Sequence, residues 1–310
     1  MATILITGGT GLIGKALTEK FLEKGYEVIV LSREPLSMVN GESSRIKMAN
    51  WNIEKQTIDE NAIRRADFII HLAGANVAEK RWTEKRKKEI VESRTKSSEL
   101  IVKALKEISN KVKTIVSASA IGWYGPDTTT PPTKYFVETD SPDNDFLGET
   151  CRLWEESIEP VKQLNKRLVK IRTGIVLNNG KGALKKFSKS LKFNIAAILG
   201  SGEQMVSWIH INDLCRIYTD AIENENLHGV YNAVAPIPVN NKKLTLELAK
   251  KLKAKKFIPV HVPEFILKIV LGEMSVEVLK SCAVSSDKIR NTGFQFLYPG
   301  IESALNELIK

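Results

Sequence analysis

The sequence has no long apolar run and few cysteines. No stretch of about 18 consecutive apolar residues occurs, so we expect no membrane span. Its three cysteines, Cys151, Cys215 and Cys282, are widely spaced and form no metal-ligand pattern. This usage predicts reduced thiols and no metal site. A strand-like run begins at Thr3, which leaves no room for a signal peptide, and we therefore expect a cytoplasmic protein.

The sequence also lacks a concentrated block of basic charge. Lys and Arg number 46 against 36 Asp and Glu, for a net charge of +10, but lysines and glutamates are interspersed, as in Glu79 to Lys96. No nucleic-acid motif accompanies them, so we expect a solvated surface and no nucleic-acid partner. The expected partner is a small-molecule substrate, and we expect no membrane partner. Attraction of an anionic substrate by the net positive charge is an additional alternative. The sequence leaves the oligomeric state open.

A glycine-rich turn follows the first apolar run. Residues 3–7 favour a strand, and Gly8, Gly11 and Gly14 follow at intervals of three. Such glycines permit a tight turn, close approach of backbone N–H groups to a pyrophosphate, and packing of the next helix on the strand. Because a second strand follows at residues 26–31, we favour a dinucleotide-binding βαβ unit over a glycine turn without a ligand. The residues predicted to bind the cofactor here are Thr7, Gly8, Thr10, Gly11, Leu12, Ile13 and Gly14.

The end of the second strand predicts which dinucleotide binds. NAD-specific sites usually place an acidic residue here to accept a hydrogen bond from the ribose 2′-OH. This sequence has Ser32 and Arg33 instead. An arginine can bind a 2′-phosphate through charge-assisted hydrogen bonds, so we predict NADP(H) as the cofactor. The alternative is a solvated arginine after a strand.

Two further strand ends contribute predicted cofactor contacts. Asn52 ends the strand near residues 46–51 and is expected to flank the adenine. The buried strand after Asp67 runs into Leu72, Ala73 and Gly74. Because Ala73 and Gly74 are small, the backbone here can pass close to the cofactor. His71 in this strand is expected to be a packed, hydrogen-bonded histidine and not a catalytic base. A long basic helix over residues 81–105 follows, with the substrate-pocket candidates Arg81, Trp82 and Arg94.

The strand at residues 114–120 ends in hydroxyl groups. Ligands of open α/β sheets bind beyond the carboxyl ends of the strands. Ser119 and Tyr124 are therefore predicted to face the nicotinamide and the substrate. Tyr124 is alternatively a packing residue of the turn. A helix over residues 146–164 and a strand over residues 169–177 follow.

These elements predict an α/β fold with a Rossmann-type, doubly wound parallel sheet. We expect a dinucleotide-binding domain at residues 1–178, with residues 206–233 returning to it. Residues 179–310 are expected to form a smaller α/β domain on the substrate side, with the cleft between the two as the substrate site. His210 is expected to be structural, fixing the returning segment through Asp213.

Several motifs together resemble the short-chain dehydrogenases/reductases, and more closely their atypical branch known as epimerase family proteins. They span the chain: Thr7-Gly8-x-x-Gly11-x-x-Gly14, Leu72-Ala73-Gly74-Ala75-Asn76, Arg81-Trp82-Thr83, Ser93-Arg94, Ser117-Ala118-Ser119-Ala120, Cys151-Arg152-Leu153-Trp154-Glu155, Arg172-Thr173-Gly174 and Trp208-Ile209-His210. The resemblance implies a nicotinamide cofactor and a catalytic serine, matched by Ser119. It also adds Arg152 and Trp208 to the pocket candidates.

The catalytic pair of the superfamily is missing. In a Tyr-x-x-x-Lys motif the tyrosine transfers a proton, while the lysine lowers the pKa of the tyrosine and holds the cofactor ribose. Aligned through Trp154-Glu155, this chain has Leu147 and Cys151 at those positions. Two hypotheses follow. The first is an NADP(H)-dependent oxidoreductase or epimerase-like enzyme acting on a small carbonyl or sugar-type substrate. Its catalytic residues would be Ser119, as hydrogen-bond donor to the substrate oxygen, and Tyr124, as the nearest phenol able to supply a proton. The second is a catalytically silent NADP(H)-binding sensor or scaffold.

Overall fold

The computed structural model describes residues 1–33, 45–179, 181–253 and 256–309. The strands are β1 (Thr3–Thr7), β2 (Glu27–Ser32), β3 (Ile46–Asn52), β4 (Thr57–Ile58), β5 (Phe68–His71), β6 (Thr114–Ala120), β7 (Arg167–Thr173), β8 (Ile175–Asn178), β9 (Ile195–Leu199), β10 (Met205–Val206), β11 (Trp208–His210), β12 (Gly229–Ala233), β13 (Val239–Asn240) and β14 (Ile258–Val262). The helices are α1 (Leu12–Glu23), α2 (Glu60–Arg65), α3 (Glu84–Glu107), α4 (Phe146–Ile158), α5 (Gly182–Phe187), α6 (Ile211–Glu223), α7 (Asn241–Lys253), α8 (Glu264–Leu271), α9 (Ser275–Leu279), α10 (Asp287–Arg290) and α11 (Ile301–Leu308).

The main sheet has the strand order β12-β7-β6-β5-β1-β2-β3-β4. Neighbouring strands are parallel, except that β4 runs antiparallel to β3. The chain builds the sheet outward from β1 through β2 and β3, and then on the other side through β5, β6 and β7. This reversal places a crevice beyond the carboxyl ends of β1 and β5, where ligands of such sheets bind. The predicted doubly wound, Rossmann-type sheet is confirmed.

Helices cover both faces of this sheet because its central strands are apolar on both sides. Ile4 of β1 belongs to one buried cluster with Leu17 of α1 and Leu214 of α6. The next residue, Leu5, belongs to the opposite cluster with Leu100 of α3. Alternate residues of a strand point to opposite faces, so a strand buried on both sides has a continuous apolar sequence.

A third apolar cluster lies in the C-terminal part and includes Trp208, Leu244 of α7 and Leu305 of α11. Around it β8 pairs with β11, β9 with β14, and β10 with β13. β12 returns to the main sheet beside β7, whereas β11 stays outside it. None of the helices in the described ranges combines the length and the apolar composition that a membrane-spanning helix needs.

Two element predictions are wrong in their extent. The strand predicted over residues 169–177 breaks at Gly174, since β7 pairs with β12 before it and β8 pairs with β11 after it. A Cβ atom at Gly174 would lie 2.6 Å from the carbonyl oxygen of Ser207, so the crossing requires glycine. The helix predicted over residues 146–164 ends with α4 and continues as a 3-10 turn, because Pro160 has no N–H for an α-helical bond.

Candidate functional site

The glycine-rich turn holds β1, α1 and the loop after β5 close together. Gly8 has a φ of +68°, and a Cβ atom there would lie 3.0 Å from the backbone of Leu72. A Cβ atom at Gly14 would lie 2.4 Å from the carbonyl oxygen of Gly8. Both positions therefore require glycine. Gly11 is the N-cap of α1, and no described side chain caps that end, so its N–H groups are available to an anion.

The turn is open to solvent. Thr10, Gly11 and Leu12 line a groove of about 780 Å³ whose other walls include Asn178 and Asn212. Ile13 instead packs against the apolar cluster around α1 and β1. The backbone of the turn is therefore accessible to a ligand, whereas the Ile13 side chain points into the apolar core.

Thr7 fixes the loop after β5. Its side chain is fully buried, and Oγ1 accepts hydrogen bonds from the N–H groups of Leu72 at 3.0 Å and Ala73 at 3.1 Å. Both acceptor positions of the hydroxyl are then used, so its proton goes to Nδ1 of His71 at 2.8 Å. The Thr7 side chain therefore positions the loop predicted to bind the cofactor and is not itself free to contact a ligand.

His71 is the packed, hydrogen-bonded histidine that the sequence predicts. Because Nδ1 accepts from Thr7, the ring proton sits on Nε2, which lies 3.1 Å from Oγ of Ser98. Burial lowers the pKa of His71 to about 4. The ring is therefore neutral at neutral pH.

The predicted adenosine side of the site lies at the ends of β2 and β3. Ser32 ends β2 and is half-buried, and Arg33 follows it with an exposed side chain. Asn52 ends β3, where its Oδ1 accepts a hydrogen bond from the N–H of Lys55 at 2.9 Å. Asn52 thus shapes the turn into β4, and its contact with adenine stays a prediction.

Ser119 and Tyr124 lie in a buried polar network instead of an open edge. Ser119 donates to Oε1 of Glu155 at 2.8 Å, and Nε of Arg172 donates to the same oxygen at 2.7 Å. The Tyr124 hydroxyl donates to Oδ1 of Asn232 at 2.8 Å and accepts from Nη1 of Arg172 at 3.1 Å. All five side chains are buried. This placement contradicts the expectation that Ser119 and Tyr124 face an open substrate site, because helix and strand partners occupy both hydroxyls.

Electrostatics in this network favour a protonated tyrosine. Burial raises the pKa of Tyr124 to about 12, although the neighbouring Arg172 acts in the opposite direction. The Arg172 guanidinium also stacks 3.6 Å from the centre of the Trp123 ring. The sequence contained a signal for this network, since β7 carries two cations on one face, Lys170 and Arg172, and both form ion pairs with Glu155 of α4. Their pairing depends on how α4 packs against β7, which the sequence alone does not give.

Leu147 and Cys151, at the positions of the missing tyrosine and lysine, lie directly under the turn after β6. A Cβ atom at Gly122 would lie 3.2 Å from Cβ of Leu147 and 3.7 Å from Sγ of Cys151. Burial raises the pKa of Cys151 to about 12, so the thiol is uncharged at neutral pH. Neither side chain therefore reproduces the proton transfer or the charge of the missing pair.

Three of the five pocket candidates have other structural roles. Arg81 donates to the carbonyl oxygens of Ile269 and Val270 at the end of α8. Arg152 forms ion pairs with Glu149 and Glu156 along the surface of α4. Trp208 is fully buried in the C-terminal cluster. Burial therefore closes Trp208 off from a substrate, whereas Arg81 is exposed and Arg152 is half-buried, and a role for these two in a substrate pocket stays a prediction.

The other two candidates lie beside the site. Trp82 is half-buried and packs edge-on against Phe146 at the start of α4, with ring centres 4.9 Å apart. Arg94 lies against the loop after β5, where a Cβ atom at Gly74 would come within 3.1 Å of its Cζ. Its Nη1 donates to the carbonyl oxygen of Ala75 at 3.1 Å.

His210 has a structural role, but its contacts differ from the prediction. Its Nδ1 accepts from the N–H of Asn212 at 3.1 Å and caps α6, while its ring stacks on Tyr298 at 3.8 Å. Asp213 accepts from the N–H groups of Leu297 and Tyr298, both at 2.9 Å. His210 and Asp213 therefore hold the same C-terminal segment independently. In the described ranges no group of three or more His, Cys, Asp or Glu side chains is arranged to hold a metal ion.

Comparisons with known proteins match this architecture. The NAD dependent epimerase/dehydratase family matches residues 4–147, and a domain of unknown function (DUF1731) matches residues 262–308. The chain is 34% identical over 307 residues to the epimerase family protein YfhF of Bacillus subtilis (strain 168), covering 99% of this chain and 97% of the relative. It is also 34% identical over 309 residues to the epimerase family protein SAR0825 of Staphylococcus aureus (strain MRSA252), covering 100% and 99%.

A solved structure agrees over the same length. The crystal structure of human epimerase family protein SDR39U1 (isoform 2) with NADPH is similar with a TM-score of 0.84 at 28% identity, covering 99% of each chain. Similarity therefore extends through the C-terminal part as well as the main sheet. The chain belongs to the epimerase family proteins, an atypical branch of the short-chain dehydrogenases/reductases.

Proposed function

We propose that the protein binds NADP(H) in the crevice between β1 and β5 and transfers a hydride to or from a small carbonyl or sugar-type compound. The main support for this proposal is the geometry of the glycine turn. Its backbone approaches the loop after β5 so closely that a Cβ atom at Gly8 would lie 3.0 Å away, while the N-terminus of α1 stays uncapped. Backbone N–H groups in this arrangement suit a pyrophosphate. The presence of NADPH in the human relative supports the same assignment.

Residues of this chain would hold each part of the cofactor. The turn at Gly8 to Gly14 would bind the pyrophosphate, and Leu72 to Gly74 would pass along the ribose. Bound NADP(H) would supply the hydride, and the protein would bind and orient it. Arg33 would bind the 2′-phosphate, since it is exposed at the end of β2 and forms no ion pair with a described residue.

A second candidate function is an NADP(H)-binding protein without turnover. It is favoured by the apolar side chains at Leu147 and Cys151 and by the engaged hydroxyls of Ser119 and Tyr124. A general acid is typically worth about 10²–10⁴-fold in rate. Its absence therefore slows a hydride transfer without forbidding it, and the two candidates differ in a measurable rate.

Binding and turnover can be separated in one set of measurements. NADPH would be titrated by its fluorescence, and its consumption then followed with a panel of carbonyl compounds and nucleotide sugars. Substrate-dependent consumption supports the hydride-transfer function. Binding with no consumption across the panel supports the silent function. A wild-type protein that binds no NADPH contradicts both.

A further inference from the structure

Arg94 is a cation without a carboxylate partner. Among the described residues it forms no ion pair, whereas Arg86 on the same helix pairs with Glu79 and Glu89, and Arg172 pairs with Glu155. Burial lowers the pKa of Arg94 to about 10, with Arg86 acting in the same direction, so the side chain still carries its charge at neutral pH. A partly buried charge without a counter-ion is costly unless something complements it.

Most of the donors of Arg94 are also unused by the protein. A guanidinium has five N–H donors and no acceptor. Nη1 donates to the carbonyl oxygens of Ala75 at 3.1 Å and Ile90 at 2.8 Å. Nε and Nη2 meet no acceptor among the described residues, and neither is sealed from solvent as Nε of Arg86 is. Three N–H groups therefore remain for a ligand.

The position of Arg94 links the predicted cofactor path to the place of the missing lysine. On one side, its guanidinium lies against Gly74, in the loop that Gly8 and Thr7 hold beside the glycine turn. On the other side, its Cζ stacks 4.9 Å from the ring centre of Trp154, one turn of α4 beyond Cys151. The charge of Arg94 also acts on the Cys151 thiol and partly offsets the rise in its pKa that burial causes.

We propose that Arg94 supplies the cationic, ribose-binding group that a lysine at position 151 would otherwise supply. The inference rests on the proposed NADP(H) site and names the part of the cofactor concerned, the hydroxyl-bearing nicotinamide ribose. Ribose hydroxyls are acceptors that suit the free N–H groups. Because position 151 holds a small neutral thiol in place of a lysine, Arg94 is not repelled by a cation at that position of α4. In this assignment Arg94 is a cofactor-binding residue and not a proton donor.

Two ligands and one substitution test the assignment. NADPH contains the nicotinamide ribose, whereas adenosine 2′,5′-bisphosphate contains only the adenosine half and its phosphates. Calorimetry of Arg94→Gln should show NADPH affinity reduced by about tenfold or more, the value of one charge-assisted hydrogen bond. Affinity for adenosine 2′,5′-bisphosphate should stay within about twofold of the wild type, which also shows that the variant is folded. Lys103→Gln, an exposed position on the same helix, controls for loss of one positive charge.

A second substitution tests the replacement itself. Cys151→Lys in the Arg94→Gln background should recover most of the lost NADPH affinity, because it places a cation on α4 at the position of the missing lysine. Unchanged NADPH affinity in Arg94→Gln would overturn the inference. Equal losses for both ligands would also overturn it, since the effect would then be structural. Absence of recovery in the double variant would show that the two positions do not serve the same ligand. A wild-type protein that binds neither ligand would instead contradict the proposed function.

Discussion

At the scale of single residues, the Tyr124 hydroxyl is a structural group. It donates to Asn232 and accepts from Arg172 inside a buried network. Tyr124→Phe leaves the amide oxygen of Asn232 without its donor, so we expect the free energy of unfolding to fall by about 1–3 kcal/mol. Urea unfolding measures this loss, and NADPH affinity should be unchanged.

The control is Tyr135→Phe, at an exposed tyrosine. Its unfolding free energy should change by no more than about 0.5 kcal/mol. If Tyr124→Phe is as stable as this control and instead abolishes turnover, the hydroxyl is catalytic and the structural account of it fails.

His71 gives a pH dependence of known sign. Its pKa is about 4 in the folded protein because the ring is buried, against about 6.5 when unfolded. The unfolded state therefore binds the extra proton first, and this contribution to stability is lost as the pH falls from 6.5 towards 4. The drop in unfolding free energy between pH 7.5 and pH 5 should be about 2 kcal/mol smaller in His71→Gln than in the wild type.

The matched control is His228→Gln, since His228 is exposed. Its drop in stability over the same pH interval should equal that of the wild type. Parallel pH profiles for His71→Gln and the wild type would show that the His71 ring is protonated in the folded protein.

At the scale of elements, two glycines of the turn have different roles: Gly11 leaves space for a ligand, and Gly14 lets α1 pack on the turn. A Cβ atom at Gly11 meets only the carbonyl oxygen of Gly8, at 3.2 Å, whereas one at Gly14 would lie 2.4 Å from the same oxygen. We expect Gly11→Val to remain folded and lose NADPH binding, because its side chain occupies the space in front of α1. Gly14→Ala should lower the thermal midpoint, because the backbone of the turn must move.

Thermal unfolding and fluorescence titration of both variants check this prediction. NADPH affinity of Gly11→Val equal to that of the wild type would place the pyrophosphate elsewhere. Wild-type stability of Gly14→Ala would show that helix α1 does not pack on the turn as closely as described.

At the scale of the whole molecule, local patterns predicted the main sheet well. Periodicity and glycine spacing indicated β1, α1 and β2, and β6 has the predicted bounds of residues 114–120. These elements are set by neighbouring residues along the chain. The break at Gly174 was missed because it depends on Ser207, a distant residue whose carbonyl oxygen approaches the strand.

The site was predicted less well, because the direction of a side chain depends on its tertiary partners. Ser119 lies at the end of a central strand as expected, but Glu155 of α4 draws its hydroxyl into the interior. Trp208 was expected in the pocket, but the apolar cluster of the C-terminal part buries it completely. The pattern of residues therefore predicted the place of the site more reliably than the partners of its side chains.

Calorimetry with two dinucleotides tests the proposed NADP(H) site, in which Arg33 binds the 2′-phosphate. NADPH and NADH would be titrated into the wild type, Arg33→Asp and Arg64→Asp, the last making the same charge change at an exposed position of α2. We predict that the wild type and Arg64→Asp bind NADPH about 10- to 100-fold more tightly than NADH. Arg33→Asp should lose that preference. Equal affinity of the wild type for both dinucleotides, or a preference for NADPH that survives in Arg33→Asp, would show that Arg33 does not bind a 2′-phosphate.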